Sequence, residues 1–470
     1  MTRRLPRRDM LRFGLAAAIG GVSSRAWGGQ IDSRISRPAP LDPDLGWAQL
    51  PSILAQIVPP QFPDRDFVIT DYGASASDAN PALKRAILAC NGAGGGRVVV
   101  PAGPWISRGP VHLLSNVNLY LEDTASIVFA FEPAAYLPAQ LVRWQGIRCY
   151  NYSPLIYAYG QRNIAVTGSG LIDGNGYLWA AWIGKQDQTW ARLELMAKSG
   201  VPVEERVFGA GDYLRPTMFE PYDCQNVLLQ GVTIEGSPFW TIHPTFCTNV
   251  TIQEVTVNPG GENDDGCDPD SCLNVLVEGC NFTTVDDNVS IKAGFNPDAE
   301  GLPGCENIVV QNCNCLRSVW SGLTIGTDVA SGIHNVFIQN CSVTDCINAH
   351  FIKGRQNAGG FVEDIYIRSN KVGTCNSVLT LLPDADDGAQ KLGPPIYANI
   401  NMQDVTCATA KGAAFLFDGD PRSPIAEVNL GNIDIQHAKA VASIKNTTDI
   451  TAADIVVNGD PVYLDARGGS

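Results

Sequence analysis

The stretch Gly261–Gly294, GENDDGCDPDSCLNVLVEGCNFTTVDDNVSIKAG, carries six aspartates: Asp264, Asp265, Asp268, Asp270, Asp286 and Asp287. Between the two acidic groups, LNVLVEGCNF alternates as a strand does. Asp286 follows Asp265 by 21 residues. If that spacing is one coil of a stacked β-structure, the carboxylates sit on neighbouring rungs, roughly 4.8 Å apart. Carboxylates so close cannot all ionise easily. One is held protonated and can act as an acid while another stays a base. An acid and a base of this kind are the equipment for cleaving a glycosidic bond. A Ca²⁺ site or a solvated acidic turn would use the same residues, and spacing alone leaves all three open.

The elements that must position these groups are short strands. Strand-like pieces start at Asn116, Asn163, Asn226, Asn249, Asn274, Asn307 and Asn335, with weaker copies at Asp364, Asn399 and Glu427. From Asn226 to Asp364 the starts are 23 to 33 residues apart. Turns separate them, without intervening helices, and irregular repeats of this length argue for a solenoid. The Asn at each start suits a left-handed turn or a side-chain ladder. The expected fold is all-β, a single right-handed parallel β-helix of about ten coils with a short N-terminal capping helix. A β-sandwich is one alternative. A propeller is the other, but it would need about four strands in every 40–45 residues. The capping helix is expected over Ala82–Ala89, started by Asn80-Pro81 and stopped by Gly92–Gly96, where it would hide an open sheet edge.

This divides the chain into an export segment (1–28), a linker or packing arm (29–66) and a β-helix catalytic domain (67–470). Excursions at 177–215 and 383–395 interrupt the repeat. Trp179, Trp182 and Trp190 in the first excursion could stack on sugars or pack the loop down. In the first segment, Arg7-Arg8 precede the apolar run Phe13–Gly21, as in a twin-arginine signal, with a Sec signal as the alternative. The expectation is an exported protein, periplasmic or secreted, and a monomer. No other run approaches the roughly 20 apolar residues of a membrane span.

The net charge is −15. Loss of residues 1–28, with six Arg and one Asp, would take it to −20. That argues against nucleic acid as a partner, and an anionic substrate would have to be met by local cations. The 14 Cys could pair in an oxidising compartment or stack as free thiols in the core. They show no zinc spacing, and neither a metal nor a cofactor is expected.

With these residues in view, Asn263-Asp264-Asp265 and Asp286-Asp287 followed by VSIKAG resemble the polygalacturonase family of pectin-degrading glycoside hydrolases, family 28. The likeness extends over roughly Phe67–Phe361 and includes DYGAS…GGGRVVVPAG and SPFWTIHP. It implies hydrolysis with inversion, Asp286 protonating the leaving oxygen, and Asp265 and Asp287 holding and deprotonating the water. The implied partner is an acidic plant cell-wall polysaccharide or oligosaccharide, of galacturonan or rhamnogalacturonan type, with attack from a chain end as one option. Two elements depart from the family. Trp320 stands where its Gly-His-Gly element has His, and Phe351 stands in the Arg place of its Arg-x-Lys element, which keeps Lys353. The candidate substrate-binding residues are Lys353, Lys292, Trp320, His350, Arg355, Asn263 and Asp268, with His350 or Arg355 as candidate replacements for the missing cation. A Ca²⁺-dependent β-helix lyase with a Lys or Arg base is one rival, and a non-catalytic glycan-binding solenoid is another.

Overall fold

The computed structural model describes residues 46–385 and 392–464. The export segment lies outside the described residues, as do 29–45 of the arm and 386–391 of the second excursion.

The chain winds as a right-handed parallel β-helix. Alternation along each strand sends one set of side chains inward. Val227, Val250, Val275, Ile308, Val336, Ile365, Ile400 and Val428 stack rung over rung. None of them is more than 1% exposed. At about 1.5–3 kcal/mol for each buried aliphatic side chain, such columns drive the winding. All ten strand starts are left-handed, with φ between 52° and 62°. The asparagines also form the ladder: Asn163 donates to Asn116, Asn226 to Asn163, Asn249 to Asn226, Asn274 to Asn249, Asn307 to Asn274 and Asn335 to Asn307, at 2.9–3.3 Å. One residue type therefore serves both turn and ladder, because its short amide tolerates positive φ and bonds to its copy on the next rung.

The arm carries α1 (Leu50–Leu54). Trp47, Leu50, Ile53 and Ile57 cover Val309, Phe337 and Tyr366 on the outside of the solenoid. The capping helix is α2 (Asn80–Gly92), longer than expected at both ends. It buries Leu83, Ala86, Ile87 and Cys90 over the first rungs. The first excursion forms α3 (Gly176–Trp179) and α4 (Ile183–Lys198). Trp179 and Trp182 pack edge-on against Phe131, and Trp179 also meets Tyr136 in this way. Trp190 lies against Trp144. These rings hold the excursion down. Burial, with 0% exposure for Trp179 and 7% for Trp182, removes those two as sugar platforms, while Trp190 is half-buried.

All 14 cysteines are unpaired and buried. Several line core positions on successive rungs, where Cys247 N–H points to the Cys272 sulfur and Cys272 N–H to that of Cys305. Among the described residues no helix is long and apolar enough to cross a membrane.

The acidic block sits on a separate face of the coil. There β1 (Val289–Ile291), β2 (Ser321–Ile325), β3 (Asn348–Arg355) and β4 (Ser377–Ala385) pair in parallel. The bridges of Cys267 to Val289 and Asp270 to Lys292 extend that face by one rung.

Candidate active site

Asp265 and Asp287 occupy equivalent places on adjacent rungs, set by bonds from Thr241 N–H to the Asp265 carbonyl (2.8 Å) and Gly266 N–H to that of Asp287 (2.9 Å). The one-coil reading of the aspartate spacing therefore matches the backbone. Asp265, Asp286 and Asp287 each present an oxygen within 4.8 Å of the others. Asp265 and Asp287 are buried, while Asp286 is half-buried.

Each carboxylate is braced differently. Lys353 Nζ donates to Asp287 Oδ2 at 2.8 Å, and Lys292 Nζ donates to Asp265 Oδ2 at 3.2 Å. Asp286 Oδ1 accepts Asp287 N–H (3.0 Å), and its Oδ2 accepts the Asn263 amide (3.3 Å). The Asp286 carbonyl accepts the hydroxyls of Thr284 and Ser318. Ser318 Oγ also caps Trp320 N–H at 2.8 Å, so the turn that carries Trp320 is tied to the acid's own backbone. The indole of Trp320 is half-buried. An oxygen trio could hold a cation; here Lys292 and Lys353 already place an ammonium at hydrogen-bond distance from two of its members.

The structure corrects the roles expected for four residues, His350, Asp268, Lys292 and Arg355. His350 is 1% exposed, on the inward side of β3. It bonds to the Val378 carbonyl and Asn370, and burial pushes its imidazole down to about 4, so it stays neutral in the core. Asp268 is 0% exposed and pairs with Lys292 at 3.2 Å. Lys292 in turn is 5% exposed, lies 4.4 Å from the Trp240 ring and reaches Asp265. Both belong to the layer behind the carboxylates. Arg355 pairs with Asp328 at 3.2 Å and lies over Phe295 at 4.7 Å, keeping 11% exposure at the side chain. Phe351 has its ring 5.2 Å from the Lys353 ammonium. Lys353 and Asn263 donate to the carboxylates of Asp287 and Asp286, while Trp320 is tied to Asp286 only through Ser318.

Other contributors were not singled out in the sequence. The Asp264 carboxylate accepts four backbone N–H groups, of Gly260, Gly261, Val285 and Asp286. Burial raises its pKa and those bonds oppose the rise. It clamps the two acidic turns together, and the doubled acid at 264–265 was the available signal. Arg143, fully buried, donates to Asp270 at 2.9 Å and to Ser271 at 2.7 Å. Burial alone would raise Asp270, but Arg143 and His243 outweigh it and hold the carboxyl below its ordinary range.

His243 lies between Glu220 (3.7 Å) and Asp270 (3.5 Å), edge-on to Trp240. Burial opposes its protonation, but Glu220 and Asp270 prevail and raise it to about 9. An unfolded histidine titrates near 6.5. The folded value is the higher one, so His243 contributes stability below about pH 6.5 that is lost as pH rises through 9. The expected loss over that window is a few kcal/mol. Urea midpoints of the wild type should fall between these pH values, and the slope should flatten in His243→Gln. Equal slopes in both proteins would show that His243 is not its source.

A family model described as "Glycosyl hydrolases family 28" matches residues 209–454. A hyperthermoactive exopolygalacturonase from Thermotoga maritima superposes with TM-score 0.84 at 34% identity, over 88% of this chain and 97% of that one. A probable polygalacturonase of Vitis vinifera is 26% identical over 383 residues, 78% of this chain and 72% of its own length. A family 28 exopolygalacturonase of Yersinia enterocolitica shares the fold, with TM-score 0.69 at 20% identity over 85% and 80% of the two chains.

Proposed function

The chain belongs to family 28 of the glycosyl hydrolases, and on that premise we propose that it removes units from the end of a galacturonan chain with inversion. Its chemistry is hydrolysis of a glycosidic bond, which sets aside both the lyase and the non-catalytic solenoid. The observation that carries hydrolysis is the set of three carboxylates within 4.8 Å, one half-open and two braced by lysines; inversion is what the family resemblance implies. In this reading Asp286 gives its proton to the leaving oxygen as the bond from the anomeric carbon breaks. Asp265 and Asp287 hold a water, which attacks the anomeric carbon from the other face and passes its proton to them. Lys353 sits where it can meet a uronate carboxylate while donating to Asp287 at 2.8 Å. Because the net charge of −15 repels such a polymer, that local cation carries much of the recognition. The 34% identity to an exopolygalacturonase and the packed helical excursion beside the cleft support attack from a chain end.

Phe351 and Trp320, in the places of the family's Arg and His, favour a second reading in which one neighbouring subsite takes a less anionic sugar, as in rhamnogalacturonan. The twin-arginine-type segment Met1–Gly28 supports an enzyme that meets its polymer after export, and cell fractionation tests that. For activity, the protein is incubated with polygalacturonate, rhamnogalacturonan and their short oligomers while reducing ends, ultraviolet absorbance and viscosity are followed. Reducing ends from polygalacturonate, without absorbance and with a slow fall in viscosity, are expected. A rapid fall in viscosity would exclude the exo reading, and release from rhamnogalacturonan alone would select the second substrate.

A further inference from the structure

We infer that Arg215, at the end of the helical excursion, is a positioning residue that orients Asn263 and through it the acid Asp286. The inference rests on the reading of Asp286 as the acid. Arg215 is 2% exposed. Its Nε donates to Gln186 Oε1 on α4 at 2.8 Å. Its Nη1 donates to the carbonyls of Pro238 (2.9 Å) and Glu262 (2.7 Å). Its Nη2 donates to Asn263 Oδ1 at 2.7 Å.

The chemistry of the donor fixes the orientation of the amide. A guanidinium can only donate, so the Asn263 oxygen must face it. The Asn263 amide nitrogen then has to face the other way, toward Asp286 Oδ2 at 3.3 Å. Asn263 is itself left-handed, with φ 62°, so its backbone alone gives little hold on the side chain. Arg215 thus chooses one of two amide orientations, and only that one offers the acid a donor. The fork also ties α4 to the acid through Gln186, which is 6% exposed. A second effect is electrostatic. Burial lowers the Arg215 pKa to about 10, opposed by Glu262, Asp264 and Asp286, so the side chain remains a cation at neutral pH and bears on those carboxylates.

The test compares Arg215→Met and Arg215→Lys with Asp286→Asn on short galacturonan oligomers, alongside the circular dichroism and urea midpoint of each protein. Arg215→Met should lower kcat about 10- to 100-fold, as expected of a misplaced group, with KM changed about threefold or less. Its alkaline limb should move up by about half to one pH unit, because a cation favouring the ionised acid is gone. Arg215→Lys should restore the limb but not the rate, since it keeps charge and loses the fork. If Arg215→Met fails to fold, Gln186→Leu with Arg215→Lys carries the same comparison. A folded variant with unchanged kcat and an unmoved limb would overturn the positioning role, as would a loss confined to the urea midpoint. Activity in Asp286→Asn would instead refute the assignment of the acid, which keeps the two failures distinct.

Discussion

Asp286→Asn should lower turnover by about three to four orders of magnitude, the size expected when a general acid is lost, while the protein stays folded. The substitution preserves shape and removes the transferable proton. Its structural cost should be small. The new side chain can still accept Asp287 N–H through its oxygen, as Asp286 Oδ1 does at 3.0 Å. Its amide nitrogen then faces the Asn263 amide nitrogen, a donor against a donor, and Asn263 cannot turn because Arg215 holds its oxygen. One mismatched bond at a half-buried site costs about 1–3 kcal/mol at most. The urea midpoint should therefore move little, and KM for oligomers should stay within a few-fold. Asp265→Asn and Asp287→Asn should also be slow, but each disrupts an ion pair, with Lys292 or Lys353, and should lose stability as well. This contrast separates the acid from its braced partners. An Asp286→Asn protein that keeps about a tenth or more of wild-type turnover, against a loss expected in the thousands, would remove Asp286 from the role.

The solenoid was legible because asparagine marked eight of the ten strand starts. Asn116 through Asn335 recur where the backbone needs positive φ, and the aliphatic alternation after each one sets the inward column. The Asp265–Asp286 separation was legible for the same reason, since it spans one coil. Facing is legible too over His350–Lys353. The period of two puts His350 with Ile352 on one side of β3 and Phe351 with Lys353 on the other. Only the second pair can reach the cleft, and His350 is in the core. Asp268 and Lys292 do face outward, but Trp240 and His243 close over them. A residue's cover comes from distant segments, which spacing does not encode. Arg215 shows that limit most clearly. It lies 48 residues before Asn263 and meets it only because the excursion folds back along the coil. The 14 thiols show a milder form of it, since pairing and stacking use the same residues and only the parallel register selects stacking.

Lys292→Met should be the most destabilising single change at the site. The ammonium lies 3.2 Å from both Asp265 and Asp268, bonds Ser290 Oγ at 2.8 Å and sits 4.4 Å over the Trp240 ring. Burial opposes its charge, but Asp265 and Asp268 outweigh that and raise its pKa. That contribution is fully present below the unfolded value near 10.4 and is lost only as pH rises beyond it. Near neutral pH the lysine is therefore a constant cation, and the pH dependence belongs to Asp268. Burial raises Asp268 well above the carboxylate range, Asp265 adds to the rise, and Lys292 and His243 oppose it. The folded protein thus holds a proton that the unfolded chain releases, and stability falls as pH rises from about 4. Without Lys292 the opposing charge is gone and the fall steepens. The expected loss is about 3–5 kcal/mol, as for one partner removed from a buried pair, and greater at pH 8 than at pH 5. Turnover should drop as well, because Asp265 loses the hydrogen bond from Lys292 that holds its carboxylate in place. Asp268→Leu combined with Lys292→Met should recover part of the stability, since it removes the buried carboxyl left without its partner, but not the activity. Urea unfolding at the two pH values reads both effects. Identical midpoints for Lys292→Met and wild type at both would show that the pair behind Asp265 carries no such coupling.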